Sequence, residues 1–191
     1  MKRCAVLLAD GFEEIEAVTV INVLRRGHVD VTVVGTNERE LIMGAHDVEV
    51  GVDEPIDVAL DEAWDAIVVP GGVRGAQRLR ENDRVTALVR RLYHERRVIA
   101  AICAGPIVLS AAGVLKDHAA TSYPDFKDEV HCREYREEPV VVDGHVVTSR
   151  GPGTAIAFAL ELVSMLAAPA AAGEVAAAML TQAPPMRARS V

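Results

Sequence analysis

Short apolar runs rich in β-branched residues alternate along this 191-residue chain with segments of helical periodicity. The runs that predict strands cover residues 4–9, 29–34, 66–69 and 98–102. The segments 13–26, 82–95 and 153–166 carry apolar residues at the spacing of one helix face. Strands that alternate with helices form a mostly parallel sheet with helices on both faces, because parallel neighbours need a crossover connection. The sequence therefore predicts an α/β sandwich.

Two hairpins interrupt this alternation. The runs 140–142 and 146–148 flank Asp143-Gly144, and this dipeptide is the strongest short-range signal for a hairpin turn. Residues 41–52 carry a weaker signal of the same kind. We expect both segments to add antiparallel pairs to an otherwise parallel fold.

No segment has the composition of a linker between domains. Residues 1–182 predict one domain, and residues 183–191 predict a C-terminal tail. The penultimate helix is expected to bury an apolar face, formed by Ile156, Ala159, Leu160 and Val163.

Charge and cysteine usage exclude several classes of protein. The net charge is −8 and no basic patch is present, so a nucleic-acid surface is not expected. No apolar stretch reaches the roughly 20 residues that span a bilayer, so no membrane association is expected. No signal peptide is recognised. The three cysteines lack framework spacing, which indicates reduced thiols and a cytoplasmic protein.

Three loops that carry polar or glycine residues each follow a buried strand. They cover residues 10–16, 70–75 and 103–106. The carboxyl ends of parallel strands lie at one edge of the sheet, where sites of α/β proteins form. We therefore expect these loops to converge on one functional site.

Cys103 lies at the turn from a strand into a helix. The unpaired amides of the new helix and its dipole would favour a thiolate there, which predicts a lowered pKa. A cysteine of that kind can act as a nucleophile or as a redox sensor.

Glu16 lies in the first predicted helix with Thr19 and Val20, on the side expected to face the sheet. Burial of a carboxyl group without a partner is unfavourable, and Cys103 could supply that partner. A carboxylate and a thiolate within reach of each other cannot both ionise comfortably. We therefore predict that Glu16 keeps a proton beside the sulfur and acts as a general acid and base.

The segment Pro70-Gly71-Gly72 offers bare backbone beside the expected position of the sulfur. The N–H groups of Gly72 and Ala104 could form an oxyanion hole. The alternative interpretation is a simple Pro-Gly turn without a chemical role.

Four segments in this order resemble the DJ-1/PfpI superfamily, and most closely its DJ-1 branch. They are Glu13-Glu14-Ile15-Glu16, Val69-Pro70-Gly71-Gly72 followed by Gly75-Ala76, Ala100-Ala101-Ile102-Cys103-Ala104-Gly105-Pro106, and Thr148-Ser149-Arg150-Gly151-Pro152-Gly153-Thr154. The resemblance covers nearly the whole chain.

The resemblance implies a flavodoxin-like α/β sandwich that forms homodimers and uses no metal or other cofactor. The family's nucleophile, on an elbow between strand and helix, falls on Cys103, its glutamate on Glu16, and its oxyanion amides on Gly72 and Ala104. Further residues are expected around the substrate: Gly71, Tyr123, Ser149, Arg150 and Pro152. Arg26 and His46 match an anion site near the dimer interface of the family. The chain departs from the pattern at His46, where the DJ-1 branch has arginine, and at Tyr123, where it has histidine.

The same resemblance implies a glutathione-independent glyoxalase or protein deglycase, with methylglyoxal or early glycation adducts as substrates and a role in protection against oxidative stress. One alternative is a non-enzymatic redox sensor or chaperone, controlled by oxidation of Cys103 to a sulfinate. A peptidase or hydrolase of the PfpI type is less expected, because Ala104 stands where those members place a histidine base.

Overall fold

The computed structural model describes residues 1–37 and 39–184 of the chain. Its strands are β1 (Arg3–Leu8), β2 (Asp30–Gly35), β3 (Leu41–Met43), β4 (Glu49–Gly51), β5 (Glu54–Pro55), β6 (Ala66–Val69), β7 (Val98–Ile102), β8 (Ala119–Ala120), β9 (Glu134–Tyr135), β10 (Val140–Asp143) and β11 (Val146–Ser149). Its helices are α1 (Glu14–Arg26), α2 (Ile56–Ala59), α3 (Val73–Glu81), α4 (Asp83–His94), α5 (Pro106–Ala111), α6 (Ala155–Leu166) and α7 (Pro169–Ala178). Pro124–Glu129 and Pro152–Thr154 form 3₁₀ turns.

Seven strands form the central sheet in the order β10-β11-β7-β6-β1-β2-β5. All neighbours are parallel except β10 and β11, which form the predicted antiparallel hairpin. In the middle of the sheet, Cys4 of β1 is aligned with Val31 of β2 and with Ala66 of β6. The predicted α/β fold with a mostly parallel sheet is confirmed. The weaker hairpin signal is confirmed as well, because β3 and β4 pair antiparallel.

Helices cover both faces of the sheet because successive strand residues point to opposite sides. Cys4 and Val6 of β1 belong to a core beneath α1, α6 and α7, whereas Ala5 and Leu7 belong to a core beneath α2 to α5. Both cores consist mainly of buried aliphatic side chains, so the sheet is shielded on both faces, as parallel sheets require.

Helix α6 presents a different face to the core from the one that we predicted. Ile156 was expected inside, but it is 41% exposed, whereas Phe158 is fully buried. The buried positions follow the three- and four-residue spacing from Ala155, so Ile156 is turned towards solvent. Ala159, Leu160 and Val163 are buried as expected.

Other differences from the predictions are local. Helix α3 begins within the segment 70–75 that was expected to be a loop, and β8 is shorter than the run 119–122. Residues 185–191 of the predicted tail lie outside the described residues. Within the described ranges, no helix is long and apolar enough to cross a membrane.

Candidate active site

The loops that follow β1, β6, β7 and β11 meet at one edge of the sheet. The N–H of Glu13 donates to the carbonyl of Gly71 over 3.0 Å, and the N–H of Gly71 donates to Oε2 of Glu16 over 2.7 Å. The N–H of Cys103 donates to the carbonyl of Ser149 over 3.0 Å. Backbone hydrogen bonds therefore fix the relative positions of the loops that the sequence predicted to converge.

Cys103 occupies a sharp turn between β7 and α5, with a φ of 63°. This left-handed backbone conformation is unfavourable for a residue with a side chain, by about 1–3 kcal/mol. Hydrogen bonds hold the turn on both sides, since the carbonyl of Cys103 also accepts from the N–H of Tyr123 at 2.9 Å. The strained turn has the form of a nucleophile elbow that directs the thiol out of the sheet edge.

Gly71 lies between the thiol and the carboxyl group. A Cβ atom on Gly71 would come within 2.6 Å of both Cys103 Cβ and Glu16 Oε2. The Cβ of Cys103 lies next to the backbone and cannot move aside, and Glu16 Oε2 is held by the hydrogen bond from the N–H of Gly71. Glycine at this position therefore allows Glu16 and Cys103 to approach each other.

Glu16 is fully buried near the start of α1. Its Oε2 accepts the hydrogen bond from Gly71, but within the described residues Oε1 has no hydrogen-bond partner that meets ordinary geometry. Burial raises the pKa of the carboxyl group to about 7, although the bonds from Gly71 and from the Cys103 thiol oppose this shift. Glu16 is therefore protonated in a substantial fraction of molecules at neutral pH.

The half-buried Cys103 thiol is coupled to this carboxyl group. Burial and then the negative charge of Glu16 raise the pKa of Cys103, whereas the N–H groups of Ala104 and Gly72 act to lower it. The prediction of a lowered pKa is therefore wrong, because burial, the largest cause of the shift, acts whether or not Glu16 is ionised. Helix α5 has only six residues, so its dipole is too weak to offset burial and the carboxylate.

Once the pair has lost one proton, which occurs with a pKa of about 7, the two groups hold the remaining proton between them. When the proton is on Glu16, the repulsion disappears and the amides of Ala104 and Gly72 face a thiolate. When the proton is on Cys103, Glu16 is a carboxylate able to act as a base. This alternation supplies a nucleophile and a proton acceptor at adjacent positions.

The thiol opens into a cavity of about 910 Å³. Several residues predicted for the site line this cavity, namely Gly72, Cys103, Tyr123, Pro152 and His46. Gly71, Ala104 and Glu16 lie behind the lining, where they support the sulfur. The structure therefore brings together the Cys103 thiol, the candidate oxyanion amides and the carboxyl group of Glu16.

Ser149 and Arg150 do not line the cavity, contrary to the expectation of a place beside the substrate. The Ser149 side chain is buried, where its hydroxyl donates to the carbonyl of Pro139 at 2.7 Å and lies 2.7 Å from the Thr154 hydroxyl. Its backbone carbonyl nevertheless accepts the N–H of Cys103. Arg150 is partly buried, and its Nη1 has no partner among the described residues. Ser149 is therefore a residue that positions the elbow.

Arg26 and His46 do not form a shared anion site within one chain. His46 contacts Glu14 in the first turn of α1, with 3.0 Å between Nδ1 and Oε2, whereas Arg26 lies in the last turn and donates to Asn22. A helix of this length separates its ends by roughly 18 Å. The hydrogen bond to Glu14 raises the pKa of His46. An anion site with both residues would need two copies of the chain.

Glu13, Glu14 and His46 form the group whose ligand atoms lie within 4.8 Å of one another, as a metal site would require. The Glu14 and His46 side chains already bond each other, and Glu13 Oε2 accepts the N–H of Glu16. These side chains are therefore satisfied by the protein itself. The expectation that the protein uses no metal stays a prediction.

Sequence reasoning missed part of the cavity wall. Arg74 and Arg78 of α3 line the cavity, as does the segment from Met43 to Asp47. The two arginines are four residues apart after Gly71-Gly72, and this spacing would have indicated one helix face at the site if the start of α3 had been recognised.

Comparison with known proteins agrees with this geometry. Residues 2–165 match the model of the DJ-1/PfpI family. The chain belongs to the DJ-1/PfpI family. It is 39% identical to Protein dj-1beta of Drosophila melanogaster over 181 residues, which cover 94% of this chain and 97% of the relative. A protein of Pyrococcus abyssi that is named a deglycase is 35% identical over 166 residues, covering 86% of this chain and 99% of that protein.

Solved DJ-1 structures have the same fold. The oxidized form of Toxoplasma gondii DJ-1 superposes with a TM-score of 0.91 at 36% identity, covering 95% of this chain and 99% of that one. Drosophila melanogaster DJ-1beta gives a TM-score of 0.90 at 38% identity, with coverage of 95% and 98%. The predicted family and flavodoxin-like fold are therefore confirmed.

The raised pKa of Glu16 makes a prediction for stability. The folded protein binds a proton at Glu16 up to about pH 7, whereas the unfolded chain releases it near the ordinary value of 4.5. Folding stability attributable to this group therefore falls as the pH rises through that window. Glu16→Gln, which cannot ionise, should gain up to about 3 kcal/mol relative to the parent between about pH 5 and about pH 8.

Urea unfolding of both proteins at the two pH values measures this gain. Glu81→Gln, at an exposed site on α3, serves as the control and should show no such gain. A constant difference between Glu16→Gln and the parent would contradict a raised pKa of Glu16.

Proposed function

We propose that this protein is a cysteine-dependent, glutathione-independent glyoxalase that converts methylglyoxal to lactate and acts as a deglycase on early glycation adducts. The observation that carries the proposal is the buried carboxyl group of Glu16 beside the Cys103 thiol, beneath a cavity and next to the N–H groups of Gly72 and Ala104. This arrangement offers a nucleophile, a base and an oxyanion site at one place.

The first step joins Cys103 to the substrate. The thiolate sulfur forms a bond with the aldehyde carbon, and the electron pair of the C=O bond moves to oxygen. The N–H groups of Gly72 and Ala104 stabilise this oxyanion, which then takes a proton from Glu16. The product is a hemithioacetal, and Glu16 is left as a carboxylate.

The second step moves hydrogen between the two carbons of the substrate. The Glu16 carboxylate removes the proton from the carbon attached to sulfur, which gives an enediolate with its negative charge on the former ketone oxygen. The hydroxyl proton of the first carbon passes to that oxygen. Glu16 then returns the proton to the neighbouring carbon, and a thioester of Cys103 results. Water hydrolyses this thioester to lactate and restores the thiol. The net change is addition of one water to methylglyoxal, so the proposed steps need no metal or cofactor.

A deglycase reaction would use the same groups. In an early adduct the aldehyde carbon is bonded to an amine of a protein or small molecule. The Cys103 thiolate would form a bond with that carbon while the C–N bond breaks and Glu16 donates a proton to the nitrogen, which releases the amine and gives the same hemithioacetal. The Pyrococcus abyssi relative that is named a deglycase supports this part of the proposal.

Tyr123 takes the place that the DJ-1 branch gives to histidine. Tyr123 lines the cavity and is 42% exposed. Its backbone N–H donates a hydrogen bond to the carbonyl of Cys103. A phenol is a hydrogen-bond donor at neutral pH but a poor base, so we assign proton abstraction to Glu16 alone.

The proposal predicts distinct effects of two substitutions on methylglyoxal consumption. Cys103→Ala should reduce consumption to the rate without protein, because the covalent intermediate cannot form. Glu16→Gln should be about 10²–10⁴-fold slower than the parent, because general acid–base catalysis is lost.

Consumption of methylglyoxal and formation of lactate are followed together for each variant. Cys132→Ala, which removes a partly buried thiol outside the cavity, should keep the parent rate. If Cys103→Ala consumed methylglyoxal as fast as the parent, the proposed function would be rejected.

A redox sensor or chaperone is a second candidate, because the same half-buried thiol opens into the cavity and the oxidized form of Toxoplasma gondii DJ-1 has this fold. It predicts that mild peroxide adds two oxygens to Cys103, as measured by peptide mass. Absence of that adduct would exclude the candidate. A homodimer, expected from the resemblance, and a cytoplasmic location, expected from the cysteine usage, stay predictions.

A further inference from the structure

Helix α3 places two arginines in the wall of the Cys103 cavity. The helix begins directly after Gly72, and Arg74 and Arg78 both line the cavity. Residues four apart lie on the same helix face, so the two guanidinium groups are neighbours. The cavity therefore has a basic side next to one of the candidate oxyanion amides.

Arg74 is the cation of this pair that is available to a ligand. Arg78 donates a hydrogen bond from Nη1 to the carbonyl of Asp10. For Arg74, by contrast, no residue of the described ranges forms an ion pair or accepts a hydrogen bond. Its Cβ lies close to Gly11, since a Cβ atom on Gly11 would come within 2.7 Å of it. The base of the side chain is thus positioned while its charged end is free.

Four carboxylates also line the cavity, and two of them already have hydrogen-bond or ion-pair partners within the protein. Asp10 accepts hydrogen bonds from the N–H of Met43 and from Asn37 and forms an ion pair with Arg39. Glu13 accepts the N–H of Glu16.

The other two carboxylates, Asp47 and Asp125, are exposed and lie on elements other than α3. They would repel an anion from their own sides of the cavity. A negatively charged ligand group is therefore favoured at the α3 side.

We propose that this site prefers carbonyl compounds that carry a carboxylate, and that Arg74 is the residue that binds this carboxylate. A guanidinium group matches a carboxylate with two parallel N–H···O bonds, which a neutral substrate cannot accept in that form. The inference names the substrate class of the glyoxalase and rests on that proposed function for turnover, but not for recognition of charge.

4,5-Dioxopentanoate is a substrate of this class. It has the same aldehyde and ketone as methylglyoxal, followed by two CH₂ groups and a carboxylate. Attack by Cys103, the proton transfers of Glu16 and hydrolysis of the thioester would add one water and give 2-hydroxypentanedioate. Its methyl ester has the same dicarbonyl group and similar length without the charge, so it is the matched neutral compound.

Alkylation of Cys103 tests charge recognition without turnover. Iodoacetate and iodoacetamide both alkylate the thiolate sulfur: a bond forms between the sulfur and the CH₂ carbon of the reagent, and iodide leaves. Only iodoacetate carries a carboxylate. The quantity compared is the rate of alkylation of Cys103 by iodoacetate divided by the rate with iodoacetamide, both measured by peptide mass. A change in the pKa of the thiol alters both rates equally and therefore cancels in this ratio. In Arg74→Ala this ratio should fall about three- to tenfold, while Arg74→Lys should retain part of it.

Two controls accompany the ratio. Arg84→Ala removes a surface arginine paired with Asp57 outside the cavity and should leave the ratio unchanged. Alkylation of Cys132 in the same samples reports any general effect on reagent or fold. An unchanged ratio at Cys103 in Arg74→Ala would overturn the inference.

Turnover separates this inference from the proposed function. The parent should have a higher kcat/KM for 4,5-dioxopentanoate than for its methyl ester, and Arg74→Ala should lose about tenfold on the carboxylate compound only. An equal loss on both compounds would also overturn the inference. If the parent converted neither these compounds nor methylglyoxal, the glyoxalase would be rejected, and the alkylation ratio would still decide whether Arg74 binds a carboxylate.

Discussion

A single proton shared between two buried groups is the interaction on which the site depends. Glu16 has no exposed surface, and Cys103 lies beside it in surroundings that also disfavour charge. Burial raises the pKa of both groups, and the negative charge of Glu16 raises the pKa of Cys103 further, whereas the hydrogen bond from the Cys103 thiol lowers the pKa of Glu16. The pair therefore carries at most one negative charge near neutral pH. The proposed chemistry consists of moving that proton to the substrate and back.

The fold keeps Glu16 and Cys103 together at this edge of the sheet. Parallel strands bring four loops to one edge of the sheet, and backbone hydrogen bonds join those loops to one another. The left-handed turn at Cys103 stores strain that the neighbouring hydrogen bonds hold in place. Gly71 leaves the space in which the carboxyl group reaches the sulfur. The two cores on either side of the sheet keep this edge rigid.

Periodicity was sufficient to predict the layers of the fold, because strands buried on both faces and amphipathic helices leave strong patterns. It placed Glu16 and Cys103 at one edge, because that position follows from topology. Side-chain detail could not be predicted in the same way. Ile156 has an apolar side chain typical of a core residue, but the rotation of α6 on the sheet decides its exposure.

The pKa values and hydrogen-bond partners of the site residues could not be predicted from the sequence either, because they also depend on side-chain placement. The pKa of Cys103 depends on desolvation and on the distance to a carboxylate, and a strand-to-helix turn in the sequence predicts neither of them. Ser149 looks like a site residue in its motif, but its hydroxyl bonds Pro139 inside the protein. Arg74 became visible as a cavity residue only when α3 was found to begin immediately after Gly72.

Infrared difference spectroscopy of the Glu16 carboxyl group tests the shared proton most directly. The account predicts a carbonyl band of a protonated carboxylic acid that is present in the parent at about pH 6, disappears with a midpoint of about 7, and is absent from Glu16→Gln. A band that disappears near the ordinary pKa of about 4.3, or no band that depends on Glu16, would contradict it.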